Sequence, residues 1–161
     1  MNDLQIIPFT KKYGAAVATL ITHIQQNEFN VPVTLADQPD LQDIPGFYQQ
    51  GRGNFWCAVN SKDEVVGTIA LIDTGTGVGA IRKMFVRADY RGAGVALQLL
   101  QLMEAHAVAG KFTGLYLGTV PVLQAALRFY EKNGYVPVKV TDLPEAFPRM
   151  PVDTLFYCKQ L

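Results

Sequence analysis

The chain has 161 residues, of which 49% are hydrophobic and 17% charged, and its 14 basic side chains balance its 14 acidic ones. This length fits one domain, residues 1–161, and the balanced charge offers no global positive field of the kind that draws proteins to nucleic acid. No apolar run reaches the roughly 20 residues that cross a bilayer, and the first residues lack a secretory signal pattern, so we expect a cytoplasmic protein that avoids membranes. Cys57 and Cys158 lie in strand-like apolar runs far apart, which predicts buried free thiols rather than a disulfide or a metal site.

The first half of the chain predicts a strand, two helices and a hairpin. Leu4 to Phe9 is an apolar run, and Thr10 is in position to cap the helix that follows. That helix is predicted from apolar side chains at helical spacing, namely Tyr13, Val17, Leu20, Ile21 and Ile24. A shorter helix is expected within residues 37–50, broken or bent at Pro45. The runs FWCAVN and VVGTIALID around a polar turn then predict a β-hairpin.

The second half predicts alternating strands and helices. The run IRKMFV predicts a strand, and the residues after Val95 predict a largely covered helix that ends near Gly110. FTGLYLGT predicts the next strand, with Thr119 and Pro121 as start signals of a helix that Gly134 closes. YVPVKV and VDTLFYCKQL predict the last two strands. The order β-α-α-β-β-β-α-β-α-β-β indicates an α/β protein whose mixed sheet has helices on both faces.

The stretch VRADYRGAGVALQLL has two glycines at the point where a strand gives way to a helix. The first backbone N–H groups of a helix lack internal partners and attract anions. Gly92 and Gly94 would let a phosphate approach these groups, and Arg91 adds a permanent charge. No Gly-Lys-Ser/Thr follows, which excludes a P-loop, and the glycines of TGTGVG precede a strand, unlike a Rossmann loop. An ordinary tight turn would also use glycines, so the spacing alone leaves both interpretations open.

Two motifs carry a resemblance to a known family. RGAGVA matches the Arg/Gln-x-x-Gly-x-Gly/Ala signature of the GCN5-related N-acetyltransferases (GNAT), and the strand KMFV precedes it as in that family. The end of the last predicted helix is similar to a second GNAT motif at Ala126, Phe129, Tyr130, Asn133, Gly134 and Tyr135. The resemblance implies a GNAT fold in which the fourth and fifth strands splay apart, with acetyl-CoA as the cofactor and CoA as a product.

The resemblance also implies roles for particular residues. The diphosphate of acetyl-CoA is expected on the loop of Arg91, Gly92, Ala93, Gly94, Val95 and Ala96. The pantetheine arm is expected to pair like an added strand along Met84, Phe85 and Val86, with the Met84 amide facing the acetyl carbonyl. Tyr130 is the expected catalytic residue, which donates a proton to the departing thiolate. A core tyrosine with a satisfied hydroxyl is the alternative interpretation of its position.

Two positions depart from the family pattern. Ala80 stands where many members have a glutamate that serves as base, and Leu123 stands where an asparagine often contacts the pantetheine arm. The base is therefore unassigned, with Asp73, Glu28 and His23 as alternatives. The expected function is acetyl transfer from acetyl-CoA to a primary amine by direct attack in a ternary complex. A nonenzymatic acyl-CoA-binding or regulatory module is the main alternative, and a nucleotide-binding protein is a weaker one.

The acceptor is expected to be a small-molecule or peptide amine under the segment that joins the first two helices. Within that segment Asp37, Asp40 and Asp43 could share a face that attracts a cationic amine, or could complement a helix start. Several aromatic side chains could wall a pocket or pack in the core: Phe29, Phe47, Tyr48, Phe55 and Trp56. A homodimer is also considered, with the final strand TLFYCKQL as the site of pairing. The acceptor's identity and the use of an acyl group other than acetyl stay open.

Overall fold

The computed structural model describes residues 4–161, in which seven strands form one mixed sheet with helices on both faces. The strands are β1 (Gln5–Pro8), β2 (Asn54–Val59), β3 (Val65–Asp73), β4 (Val78–Val86), β5 (Gly114–Thr119), β6 (Val136–Val138) and β7 (Leu155–Gln160). The helices are α1 (Gly14–His23), α2 (Pro39–Gln42), α3 (Ile44–Tyr48), α4 (Val95–Ala109) and α5 (Gln124–Lys132). The predicted element order and fold class are confirmed, with the second predicted helix present as the two short helices α2 and α3.

The sheet opens between its two central strands. The strand order is β1-β2-β3-β4-β5-β7-β6, and β4 and β5 form its parallel pair. Their pairing starts at Val78 with Gly114 and ends at Ala80 with Tyr116. Beyond this point β4 continues to Val86 without β5 beside it. The predicted splay of the fourth and fifth strands is therefore confirmed.

A β-bulge interrupts β4 where the strands diverge. Phe85 is paired with Thr68 and Arg82 with Ala70, so Lys83 and Met84 both oppose the single residue between those partners. Lys83 has a φ of 55°, in the left-handed region that a lysine rarely adopts. A bulge bends its strand and redirects side chains, and this one includes Met84, the first of the β4 residues expected to contact a cofactor.

The apolar core lies in two layers, one on each face of the sheet. Val17 and Ile21 of α1 are fully buried with Tyr48 and Phe55 in one layer, which confirms the predicted spacing of the first helix. Helix α4 packs on the other face with Trp56 and helix α5. A smaller cluster joins Ala80 of β4 to Phe147 and Phe156. Tyr48, Phe55 and Trp56 are thus core residues, whereas Phe47 is half exposed.

Three local expectations need correction or refinement. Thr10 makes no side-chain cap, because a 3₁₀ turn at Lys11–Tyr13 begins on its carbonyl. The break in the second predicted helix falls at Asp43, which caps the Gly46 amide, so Pro45 lies in the first turn of α3 where its missing N–H is harmless. Thr119 does not cap α5, because it is paired with Leu155 inside the sheet. The helix accordingly begins later, at Gln124.

The final strand is not a free edge. Strand β7 is paired with β5 along its length and with β6 from Phe156 to Cys158. From Phe156 to Cys158 the strand has a partner on each side, which leaves no free edge for a second copy there, and the homodimer itself stays a prediction. The two cysteines are free and buried, as predicted, and burial raises the pKa of the Cys57 thiol to about 12. Within residues 4–161, no helix is both long and apolar enough to span a bilayer.

Candidate active site

A cavity of about 600 Å³ lies at the end of β4, beyond its last pair with β5. Its volume falls within the range of about 300–1,000 Å³ that is usual for ligand pockets. The end of β4, the glycine loop and helix α5 form most of the wall, and Ile24 and Phe29 close it from the end of α1. The lining is mainly apolar, so a ligand bound there is largely removed from water.

The glycine loop forms an open cradle at the start of α4. Gly92 and Gly94 have φ values of 80° and 82°, a conformation that favours glycine. A Cβ atom added to either residue would have no heavy atom within 4 Å, so both glycines face open space. Helix α4 begins at Val95, directly after this loop, and its first amides lack intrahelical partners. The loop therefore fits a bulky anion such as a diphosphate.

Arg91 brings a cation to the rim of this cradle. Its Nε donates a hydrogen bond to the Val86 carbonyl at 2.9 Å, and its Nη1 lies 2.5 Å from Glu28 Oε1. Glu28 ends a π-helical turn, Ile24–Glu28, that extends α1 toward the cavity. The guanidinium is thus oriented by the backbone of β4, and its charge is partly neutralised by Glu28.

Tyr130 extends from α5 into the apolar wall. The residue is 6% exposed and packs edge-on against Phe129 and Tyr135, each with a centroid distance of 5.7 Å. Its hydroxyl has no hydrogen-bond partner among residues 4–161, and burial raises its pKa well above the usual value. The hydroxyl therefore stays protonated at neutral pH and is free to donate to a ligand.

The structure brings the predicted site residues together. The cavity is lined by Met84, Phe85, Val86, Arg91, Gly92, Gly94, Val95, Ala96 and Tyr130. Ala93 is the exception, since it is exposed but does not line the cavity. Leu123, the apolar residue at a position where the family often has asparagine, also lines the cavity. Phe29, one of the aromatic residues that could wall a pocket, does line the cavity. Sequence reasoning missed the contribution of Ile24, because its spacing indicated only a core position on the first helix.

The three alternative bases are separated in the structure. Asp73 lies at the far end of β3 beside Gly79, where Arg52 Nε is 3.1 Å from its Oδ2. Burial raises the pKa of Asp73, but hydrogen bonds from the Arg52 and Gly75 amides and the Arg52 guanidinium hold it below the usual value. His23 is exposed beside Asn27. Glu28 is paired with Arg91, and Ala80 is fully buried.

The three aspartates of the segment between α1 and α3 do not form one acidic face. Asp37 accepts hydrogen bonds from Thr34, and Asp43 caps the Gly46 amide. Asp40 is buried, 3.3 Å from Lys83 Nζ, and accepts a 2.5 Å hydrogen bond from the Tyr48 hydroxyl.

Lys83 is the cation of this buried group. Its Nζ also donates to Gln38 Oε1 at 2.6 Å, and burial lowers its pKa despite the opposing effect of Asp40. These contacts anchor the bulge of β4 to α2. The residues around Lys83 did not predict this contact, because Asp40 and Lys83 are 43 residues apart in the chain.

The chain matches known proteins over most of its length. The model of the "Acetyltransferase (GNAT) family" matches residues 18–135. "Probable N-acetyltransferase 14" of Xenopus tropicalis is 35% identical over 98 residues, which cover 60% of this chain and 48% of the relative. "N-acetylaspartate synthetase" of Danio rerio is 32% identical over 123 residues, which cover 73% of this chain and 43% of the relative. The matched region thus spans less than half the length of either curated relative.

A solved structure is similar over nearly the whole chain. The crystal structure of an acetyltransferase of the GNAT family from Staphylococcus aureus Mu50 has a TM-score of 0.94 at 36% sequence identity. The similarity covers 98% of this chain and 98% of the other. The splayed sheet and the helices around the cavity are thus features shared with a solved protein of similar size.

Proposed function

Because the chain belongs to the acetyltransferase (GNAT) family, we propose that it transfers an acetyl group from acetyl-CoA to a primary amine by direct attack in a ternary complex. One observation carries the proposal: the same cavity joins the open glycine loop, the unpaired end of β4 and the free hydroxyl of Tyr130. An ordinary strand-to-helix turn would require neither the open space above the glycines nor the adjoining gap in the sheet.

The residues around the cavity suit the successive parts of acetyl-CoA. The amides at Gly92 to Ala96 and the Arg91 guanidinium match a diphosphate in charge and in hydrogen-bonding capacity. The amide groups of a pantetheine arm match the edge of β4 beyond Ala80, where β5 does not pair. When bound, acetyl-CoA supplies an activated acyl carbon and a thiol leaving group.

Three features of the chain would assist the transfer. The Met84 amide is the donor we assign to the acetyl oxygen, because it lies on the part of β4 that lines the cavity. Tyr130 is the proton donor to the leaving sulfur, because burial keeps its hydroxyl protonated and no other described residue occupies it. Apolar walls at Val86 and Phe129 exclude water, which strengthens both hydrogen bonds.

The first acceptor to test is an amino acid. N-acetylaspartate synthetase is among the relatives that share more than 30% identity with the chain, and its name points to an amino acid that carries an additional carboxylate. We therefore choose aspartate as the first probe, and a wider set of primary amines as the second.

A thiol-release assay tests the proposal. The wild-type protein is expected to release CoA from acetyl-CoA when an acceptor amine is present, and Tyr130→Phe is expected to lower kcat about 10- to 100-fold. The KM for acetyl-CoA should change less than about twofold, because the lost hydroxyl acts on the leaving sulfur rather than on binding. Tyr157→Phe is the matched control, since that hydroxyl donates to Glu131 outside the cavity.

One result would contradict the proposed transfer, and another would contradict the role of Tyr130 alone. Binding of acetyl-CoA without turnover across the amine set would favour a nonenzymatic acyl-CoA-binding module. Equal kcat values for the wild type and Tyr130→Phe would remove Tyr130 from the chemistry while leaving the transfer itself intact.

A further inference from the structure

A carboxylate lies at the apex of the splay, on the face of the sheet opposite α4 and α5. Asp153 belongs to the loop between β6 and β7 and is half-buried. Its side chain covers Gly118 of β5 so closely that a methyl group on Gly118 would collide with the carboxylate. The glycine thus leaves room for Asp153 at this point of the sheet.

The register of the sheet places this carboxylate beside the gap. Gly118 and Arg82 lie two residues beyond the last β4–β5 pair, Ala80 with Tyr116, so they face each other where the strands first separate. Arg82 lies on the same face as Ala80, because side chains alternate along a strand. Met84, which lines the cavity, follows Arg82 by two residues across the bulge. An acceptor beside Asp153 would therefore approach the acyl end of the cavity from the other face of the sheet.

Asp153 has no partner among the described residues. Its oxygens accept no hydrogen bond, and no cation of residues 4–161 comes within 4 Å of them. Three cations lie farther off, and each has another contact. Arg82 donates to the Pro148 carbonyl, Lys83 is paired with Asp40, and the Arg149 guanidinium lies 5.6 Å from the centroid of the Phe156 ring.

The electrostatics of the group favour proton transfer from an amine. Burial raises the pKa of Asp153, and the lowering effects of Arg82, Arg149 and Lys83 do not cancel that increase. A carboxylate of raised pKa is a stronger base near neutral pH. The same three cations disfavour a bound ammonium ion and so favour the neutral, nucleophilic amine.

On the basis of the proposed function, we infer that Asp153 is the base that accepts the proton of the acceptor amine, and that Arg82 and Arg149 bind a carboxylate of the same acceptor. The acceptor is therefore a small amine that carries a carboxylate. In the transfer, the amine nitrogen forms a bond to the acyl carbon as the carbon–sulfur bond breaks. The nitrogen gives one proton to Asp153 and the sulfur receives one from Tyr130, so that the products are an amide and a thiol. Asp153 then loses its proton to solvent and Tyr130 regains one from solvent, which returns both side chains to their starting states.

The first arm of the test measures the base. Asp153→Asn is expected to lower kcat/KM for the amine at least 100-fold at pH 7, while the Kd for acetyl-CoA stays within about twofold. The rate of this variant should rise about tenfold per pH unit toward the pKa of the free amine, whereas the wild-type rate levels off at lower pH. Asp142→Asn is the matched control, because Asp142 is an exposed acid between β6 and β7. Gly118→Ala, which displaces the carboxylate without removing it, should lower kcat/KM in the same way.

The second arm measures acceptor class. The probes are the common amino acids, aspartate first, each compared with the amide in which every carboxylate is blocked, with rates expressed per neutral amine. We expect at least one amino acid to be preferred tenfold or more over its amide, and Arg82→Gln to remove most of that preference.

The outcomes separate this inference from the proposed function. If the wild type acetylates an amine but Asp153→Asn retains the same rate and pH profile, the assignment of Asp153 is wrong and the transferase activity stands. A preference for blocked amides overturns the carboxylate assignment. If the wild type neither binds acetyl-CoA nor turns over, the proposed function itself fails.

Discussion

Glu28 lies against the cation of the anion cradle, and its removal should strengthen cofactor binding. The Glu28 carboxylate is 2.5 Å from Arg91 Nη1, and the two side chains are 22% and 42% exposed. A diphosphate on the glycine loop would share Arg91 with this carboxylate. The change Glu28→Gln keeps the size of the side chain and one acceptor oxygen for Arg91 but removes the negative charge.

The magnitude follows from Coulomb's law. A diphosphate on the other side of the guanidinium would lie about 6 Å from the Glu28 carboxylate, and at an effective dielectric of about 40–80 each pair of unit charges repels by about 0.7–1.4 kcal/mol. Screening at about 0.1 M salt leaves a net effect of about 1 kcal/mol. We therefore expect Glu28→Gln to lower the Kd for CoA about fivefold. The loss of the partly exposed ion pair should cost less than about 1 kcal/mol of unfolding free energy.

Isothermal titration with CoA at low and high salt measures this effect. The difference between Glu28→Gln and wild type should shrink at high salt, since screening weakens the repulsion that the variant removes. Arg91→Gln should change affinity in the opposite direction. An unchanged or higher Kd for Glu28→Gln at low salt would mean that Glu28 does not oppose the diphosphate, and the assigned role of Arg91 would have to be revised.

Two further variants test the cradle and the anchor of the bulge. Gly94→Ala forces a side chain into the left-handed region, so we expect a loss of about 1–2 kcal/mol in stability together with weaker CoA binding. Gly75 has a φ of 83° and equally open surroundings, so Gly75→Ala should show the same loss of stability in thermal melts with an unchanged Kd for CoA. Equal Kd values for the two variants would contradict the assignment of the glycine loop as the diphosphate site. Asp40→Ala leaves the Lys83 ammonium and the Tyr48 hydroxyl buried without their partner, and urea unfolding should give a loss of about 3–5 kcal/mol. Adding Lys83→Met should recover part of this loss, and no recovery would argue against the buried charge as its cause.

Local patterns predicted the elements whose own side chains define a buried face. The spacing of Val17, Leu20 and Ile21 correctly predicted α1, because all three face the core of the protein. The start of α5 was predicted too early, because threonine is a common N-cap residue and Thr119 was assigned that position from its neighbours alone. Its pairing with Leu155, a residue 36 positions later, keeps it in the sheet instead.

The cradle could be predicted because its chemistry is local. Gly92 and Gly94 lie two positions apart in the turn directly before a helix, so spacing alone indicated an anion site or a tight turn, and the family resemblance favoured the former. The resemblance, rather than any local pattern, also predicted the splay of β4 and β5.

Asp153 could not be predicted in this way. It meets Gly118 only because β7 pairs with β5, which brings together positions 35 residues apart. Neither residue belongs to a motif, and an aspartate in a loop rich in proline has no sequence signature of a base. The same limit applies to the contact between Glu28 and Arg91, which depends on how far the turn after α1 extends toward the cavity.

A crystal structure of the protein with acetyl-CoA would test the central claim most directly. We predict a diphosphate on the amides of residues 92–96, a pantetheine arm along β4 beyond Ala80, and the sulfur within hydrogen-bonding distance of the Tyr130 hydroxyl. Density for the cofactor outside the splay, or β4 and β5 paired through Val86 and Thr119, would contradict the account.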